Sequence, residues 1–273
     1  MRLSIRAHLD YAFPEACDVL LQVEAAALPD QWLETQALTV HSDHPIRAVA
    51  GEEGIGQRCW VRCEGRLVAD YAAIVRIDRA EIDIATLPAT AVAELPAATI
   101  PYLLPSRYCE SERLEHWARR HFAGVSGGAL AMALMEWVHA NLDYGWTDAS
   151  GRTGALETFA QRRGVCRDYA HLLVALARAV EIPARCVSAF APGVDPPDFH
   201  AVAELWLDGA WRLMDATGMA RADELVRVAV GRDATDIAFM TIFGTADLLA
   251  QTVEVVRLPD APGMQERDPD PAR

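Results

Sequence analysis

Polar and apolar residues alternate cleanly at the start of the chain. Leu3, Ile5, Ala7, Leu9, Tyr11 and Phe13 fall on one side of an extended segment. That period of two predicts a half-buried strand whose end is bracketed by Asp10 and Pro14. Leu38–His41 and Ile46–Val49 are shorter strand candidates. Cys59-Trp60-Val61-Arg62-Cys63, the turn residues Glu64-Gly65, and then Leu67, Ala69, Tyr71, Ala73, Val75 and Ile77 read as a hairpin. Consecutive strands of this kind predict an N-terminal antiparallel β domain over residues 1–108, a small sandwich or barrel. The stretch 87–101, with its Ala and Pro residues, reads as a surface connection.

Beyond it the period changes to that of a helix. Ser111 is placed to cap a helix carrying Leu114, Trp117, Ala118 and Phe122, and Ser126 to cap another carrying Leu130, Leu134, Trp137 and Val138. A third helical pattern, Thr153 to Arg163, stops at Gly164, a residue suited to a left-handed helix end. The fourth opens at Cys166 and repeats at Ala170, Leu173, Val174, Leu176, Ala177 and Val180. Strands follow at about 185–191, 199–207 and 211–215. Later come Val226, Val228 and Val230, a turn at Gly231-Arg232-Asp233, a segment Phe239–Phe243 expected behind the site, and a final strand Thr252–Leu258. Helices followed by antiparallel strands predict an α+β domain over 109–258. Residues 259–273, rich in Asp, Pro, Gly and Arg, read as a mobile tail.

This pattern puts one thiol, Cys166, in the first turn of a helix, where unpaired amides and the macrodipole favour an anion. A thiolate is the nucleophilic form of cysteine, and helix N-termini lower its pKa. Downstream, His200 and Asp215 lie on two strands joined across Asp208-Gly209. With a two-residue turn there, Leu207 faces Ala210 and Val202 faces Asp215. His200 and Asp215 then project from one face as diagonal neighbours, roughly 7–8 Å apart by backbone and within side-chain reach. A three-residue loop would break that parity. Cysteine, histidine and aspartate on separate elements, in this order, are expected of a nucleophile, its base and the base's orienter.

Four blocks carry a resemblance. Gly164-Val165-Cys166-Arg167-Asp168-Tyr169-Ala170-His171, Ile182-Pro183-Ala184-Arg185, Asp198-Phe199-His200-Ala201 and Asp215-Ala216-Thr217-Gly218 resemble the bacterial transglutaminase-like superfamily, which includes cysteine proteases. Leu104-Pro105-Ser106-Arg107-Tyr108 and Val230-Gly231-Arg232-Asp233 are similar to members with an N-terminal β domain. The resemblance implies a papain-like core with the nucleophile helix packed on an antiparallel sheet. It also implies catalysis by Cys166, His200 and Asp215. Arg167 stands where Gln is more usual, and Ala216 where many relatives have Pro; neither change removes a catalytic atom.

Acyl transfer also needs oxyanion donors. The Cys166 amide is one by position. Tyr144, Trp146 and Trp137 are candidates by type for the second, the first two being preferred. Asp168 is read as a helix stabiliser. His171, about 140° around the helix from Cys166, is read as structural.

Composition narrows the partners. The 273 residues hold 25 basic and 39 acidic side chains, a formal charge of −14, and 52% are hydrophobic. Such a surface disfavours nucleic acid and anionic membranes. Met1-Arg2-Leu3-Ser4-Ile5-Arg6 breaks into charge before a leader-like apolar run forms, and no run is long enough to span a bilayer, so the expected location is cytoplasmic. Six cysteines are too few for a disulfide scaffold; Cys59 and Cys63 read as buried free thiols on the face of Val61. His41 and His44 read as loop residues. No cofactor or metal is expected, because Cys166 and His200 lack a well-spaced third ligand. The expected activity is thiol-dependent hydrolysis of a peptide or protein amide through an acyl-enzyme. The alternatives are a protein-crosslinking transglutaminase and a non-catalytic binding module on the same fold.

Overall fold

The structure, a computed structural model, describes residues 1–42, 44–146 and 151–259. Its elements in chain order are β1 (Arg2–Leu21), β2 (Gln31–His41), β3 (Arg47–Ala50) and β4 (Gln57–Ile77), then α1 (Ser111–His121), α2 (Gly127–Asn141) and β5 (Asp143–Tyr144). They continue with α3 (Ala155–Gln161), β6 (Arg163–Gly164), α4 (Cys166–Ala179), β7 (Ala184–Phe190), β8 (His200–Leu207), β9 (Ala210–Met214) and β10 (Val226–Gly231). Last come α5 (Ala234–Ile237), β11 (Met240–Phe243) and β12 (Asp247–Leu258). The expected α+β class holds. None of the described helices is long and apolar enough to cross a membrane.

One six-stranded antiparallel sheet is built on two very long strands, β1 and β4. Residues 2–12 of β1 pair with β12 and residues 18–21 with β11. Along β4, Gln57–Trp60 pair with β3 and Val68–Ile77 with β2. The predicted alternation is present: Leu3 through Phe13, Cys59, Val61, Cys63 and Leu67 through Ile77 bury one face. Two expectations are corrected. Pro14 does not end the first strand, and Glu64-Gly65 is not a turn. Instead both strands bend together, with Phe13 opposite Gly65 and Cys17 opposite Cys63, so that extra residues of β1 bulge against the left-handed Gly65 (φ 78°). The result is one bent sheet rather than a two-sheet sandwich or a closed barrel.

The helices and the second sheet, in the order β10-β7-β8-β9, follow the expected sequence. Helix α4 is their axis: from Asp168 to Ala179 every residue is buried, against α1, α2, α3, β7 and β8. The predicted caps differ in detail. Ser111 is the first helical residue of α1, with Glu110 before it, and Ser126 precedes α2 without a side-chain capping bond. The larger correction concerns the end of the chain. β11 and β12 return to the first sheet, so residues 240–258 do not belong with the helices as the 109–258 boundary required. Of the predicted tail, residues 260–273 lie outside the described residues.

Charged side chains join the two sheets. Arg185 on β7 faces Glu204 on β8, both buried, and also reaches Glu53 at 2.8 Å. Arg227 on β10 bonds Glu204 at 2.9 Å and also pairs with Asp30. The Gln31 side chain accepts the Arg227 N–H and donates to the Arg227 carbonyl.

Candidate active site

The surroundings of Cys166 begin with a local close approach. Gly164 is not the left-handed helix end that was expected; that role falls to Arg162 (φ 58°), which closes α3. Gly164 is needed for a different reason. A Cβ on it would lie 2.5 Å from Cβ of Asp168. Asp168, buried in the first turn of α4, turns back to accept the Val165 N–H at 2.9 Å and takes Arg167 at 3.2 Å. It therefore stabilises the start of the helix, as its position predicted. Directly after this cap comes Cys166, partly exposed, whereas the other five cysteines are buried.

Residues Arg163–Gly164 also form a two-residue parallel ladder with Asp143–Tyr144. The Asp143 and Gly145 N–H groups donate to the Arg162 and Gly164 carbonyls at 2.9 Å each, and Tyr169 secures the incoming chain by donating to the Leu142 carbonyl at 2.7 Å. This ladder sets the Tyr144 side chain beside Cys166. Burial and the neighbouring sulfur hold the phenol well above its usual pKa, so it keeps its proton. Trp146 is placed differently. It stands 68% exposed, too open to serve as a fixed donor in a dry pocket. Trp137 packs in an aromatic cluster with Trp117 and Phe159.

The hairpin that carries His200 and Asp215 has the predicted register. Leu207 pairs with Ala210 and Ala203 with Met214, across Asp208 and Gly209, both left-handed (φ 50° and 69°). His200 donates through Nε2 to Asp215 Oδ2 at 2.9 Å. Asp215 is saturated: Oδ1 accepts the Thr217 N–H and hydroxyl at 2.9 and 2.7 Å, and Oδ2 also accepts the Ala220 N–H at 3.0 Å. Burial would raise the Asp215 pKa, but these donors and His200 lower it. The other ring nitrogen of His200, Nδ1, has no hydrogen-bond partner among the described residues, and Cys166 lies near enough to the ring to act on its charge. Burial opposes charge on His200, yet the hydrogen bond to Asp215 and the negative charge of Asp215 and Cys166 outweigh it and raise the ring to about 10. The structure thus gathers Cys166, His200, Asp215 and Tyr144 in one place and leaves Trp146 at the rim.

Two supports were not foreseen. Thr217 locks Asp215, and the Asp-x-Thr spacing, which favours a side-chain-to-backbone turn, was its available signal. From the first sheet, Gln251 donates to Asp198 at 2.5 Å while Phe239 stacks on Phe199 at 4.4 Å, fixing the residues just before His200. Nothing local in the sequence announces either contact.

With this geometry in view the comparisons are informative. A family model described as "Transglutaminase-like superfamily" matches residues 115–216, a span holding Cys166, His200 and Asp215. The crystal structure of the "Putative Cysteine Protease from Cytophaga hutchinsonii" is similar over 96% of this chain and 92% of that one, with 31% identity and a TM-score of 0.88. The chain belongs to the transglutaminase-like superfamily. An uncharacterized protein of Mycobacterium leprae is also 31% identical over 115 residues, which is 39% of this transglutaminase-like chain. The match spans only 41% of that curated relative. The superfamily resemblance read from the four sequence blocks is therefore correct, and it extends to the N-terminal sheet, which the Cytophaga structure shares.

Proposed function

We propose that the protein hydrolyses peptide or protein amide bonds with Cys166 as nucleophile, His200 as general acid and base, and Asp215 as orienter. The observation that carries this reading is the setting of His200, bonded to Asp215 through Nε2, with Nδ1 unpartnered and Cys166 beside the ring. A ring that holds its proton beside the sulfur favours the thiolate. The name of the Cytophaga relative, a cysteine protease, points to the same chemistry.

In this mechanism the thiolate attacks the carbonyl carbon, and the displaced electron pair moves to the carbonyl oxygen. The Cys166 amide and the Tyr144 hydroxyl stabilise the resulting oxyanion. His200 delivers its proton to the departing amine as the C–N bond breaks, leaving a thioester. It then takes a proton from water, whose oxygen attacks the thioester and releases the acid and the thiolate. Water is the acceptor in this proposal, and a cytoplasmic setting, which keeps thiols reduced, suits the nucleophile.

The test is reaction with a peptidyl thiol electrophile followed by peptide mapping. Selective labelling of Cys166, slowed at least about 100-fold in His200→Ala, is expected. Equal labelling of all six cysteines, or indifference to His200, would overturn the proposal in favour of a binding module.

A further inference from the structure

A second cluster of reactive groups lies apart from this site. The sulfurs of Cys109 and Cys186 and a ring nitrogen of His171 lie within 4.8 Å of one another, and all three residues are buried. Cys109 sits just before α1, Cys186 on β7 and His171 on α4, so the cluster joins three parts of the core. The donor set is one that a soft cation could use. The protons argue otherwise. His171 Nε2 already accepts the Ala234 N–H at 3.0 Å, and burial, with the nearby Arg167 and Arg178, lowers the ring to about 3, so it is neutral. A neutral ring that accepts at Nε2 carries its proton on Nδ1, and neither nitrogen then has a free lone pair for a metal. Nδ1 has no hydrogen-bond partner, which leaves an N–H donor in the cluster.

Two sulfurs that approach this closely, with no metal chemistry open to them, have one simple reaction. We propose that Cys109 and Cys186 are an oxidisable pair that closes a disulfide when the protein meets a small peroxide. The Cys109 sulfur attacks hydrogen peroxide; an S–O bond forms, the O–O bond breaks, and the thiol proton leaves with the released hydroxide as water. The Cys186 sulfur then attacks the sulfenic sulfur; the S–S bond forms, the S–O bond breaks, and a second water carries away the Cys186 proton. The thiol pair loses two electrons, and the peroxide gains them. Closure requires the sulfurs to approach to about 2.05 Å. Burial of both sulfurs makes the reaction dependent on local opening, and hence slower than oxidation of the partly exposed Cys166. The loop so closed holds about 80 residues and contains α1 to α4, the nucleophile helix included.

This proposal does not depend on the amidase reading, and its test needs no substrate. Cys166→Ser protein is treated with hydrogen peroxide, its remaining thiols are blocked, and it is digested with trypsin without reduction. Peptide Tyr108–Arg113 joined to Cys186–Arg212, lost on dithiothreitol treatment and absent from Cys186→Val, is the expected product. The oxidised protein should also melt about 5 °C or more higher. Separate, unlinked peptides after prolonged exposure would overturn the proposal, as would a stoichiometric metal released from the untreated protein by thiol blocking.

Discussion

Tyr144 lies beside Cys166 because its backbone pairs with Gly164, two residues earlier in the chain. The pairing is only two residues long, yet it sets a phenol beside Cys166. Removing that hydroxyl isolates its part in the chemistry. Tyr144→Phe should slow acylation by an activated peptidyl ester about 100-fold, the scale of one lost oxyanion donor. Alkylation of Cys166 by iodoacetamide, a displacement that forms no oxyanion, should change little. Equal losses in both assays would mean that the ring only supports the fold.

The raised pKa of His200 makes a prediction about stability. Its folded value, about 10, exceeds the unfolded value near 6.5, so protonation of the ring stabilises the fold. That contribution is complete below pH 6.5 and is lost as pH rises through 10. Thermal midpoints of the wild type should therefore fall across this window. Asp215→Asn, which removes the charge that holds the proton, should flatten the decline. A decline of the same slope in both proteins would contradict the assignment.

At Gly164 the expected effect is steric. An alanine methyl would collide with Asp168, the side chain that ties down the start of α4. Gly164→Ala should cost about 1–3 kcal/mol in denaturant unfolding and slow Cys166 labelling with it. A stability unchanged from wild type would show that Asp168 moves aside freely.

Glu204 holds two arginines in a sealed environment: its side chain is fully buried, that of Arg185 is 2% exposed and that of Arg227 12%. Glu204→Ala removes the buried carboxylate that both guanidinium groups share and should destabilise the protein by about 3–5 kcal/mol. Calorimetry would detect such a loss. A loss below about 1 kcal/mol would indicate that Glu53 and Asp30 suffice for the two arginines.

Much of the candidate site was legible because strand geometry is arithmetic. The parity of His200 and Asp215 followed from the positions of Asp208 and Gly209 alone, and the observed hairpin has that register. Cys166 was legible from helical periodicity and the blocks around it. Gly164 was misread because a glycine after a helix suggests a left-handed stop, whereas here its missing side chain makes room for Asp168. Gly65 was misread in the same way, as a turn rather than a bend within a strand. The contacts of Gln251 and Phe239 near His200, and the pairing of β12 with β1, join residues far apart in the chain, and no local pattern encodes a partner at that distance.

That last pairing alters what an excised fragment could be. The helical half sits between strands of one sheet, inserted after β4 and closed off before β11. A fragment starting at residue 109 would carry two orphaned strands with open edges, prone to join other chains. One ending at residue 239 would strip the first sheet of its outer strands and leave His200 without the Gln251 brace on its approach. Every fragment of this protein that holds the candidate site should therefore keep both flanks, β1 to β4 before the insert and β11 and β12 after it.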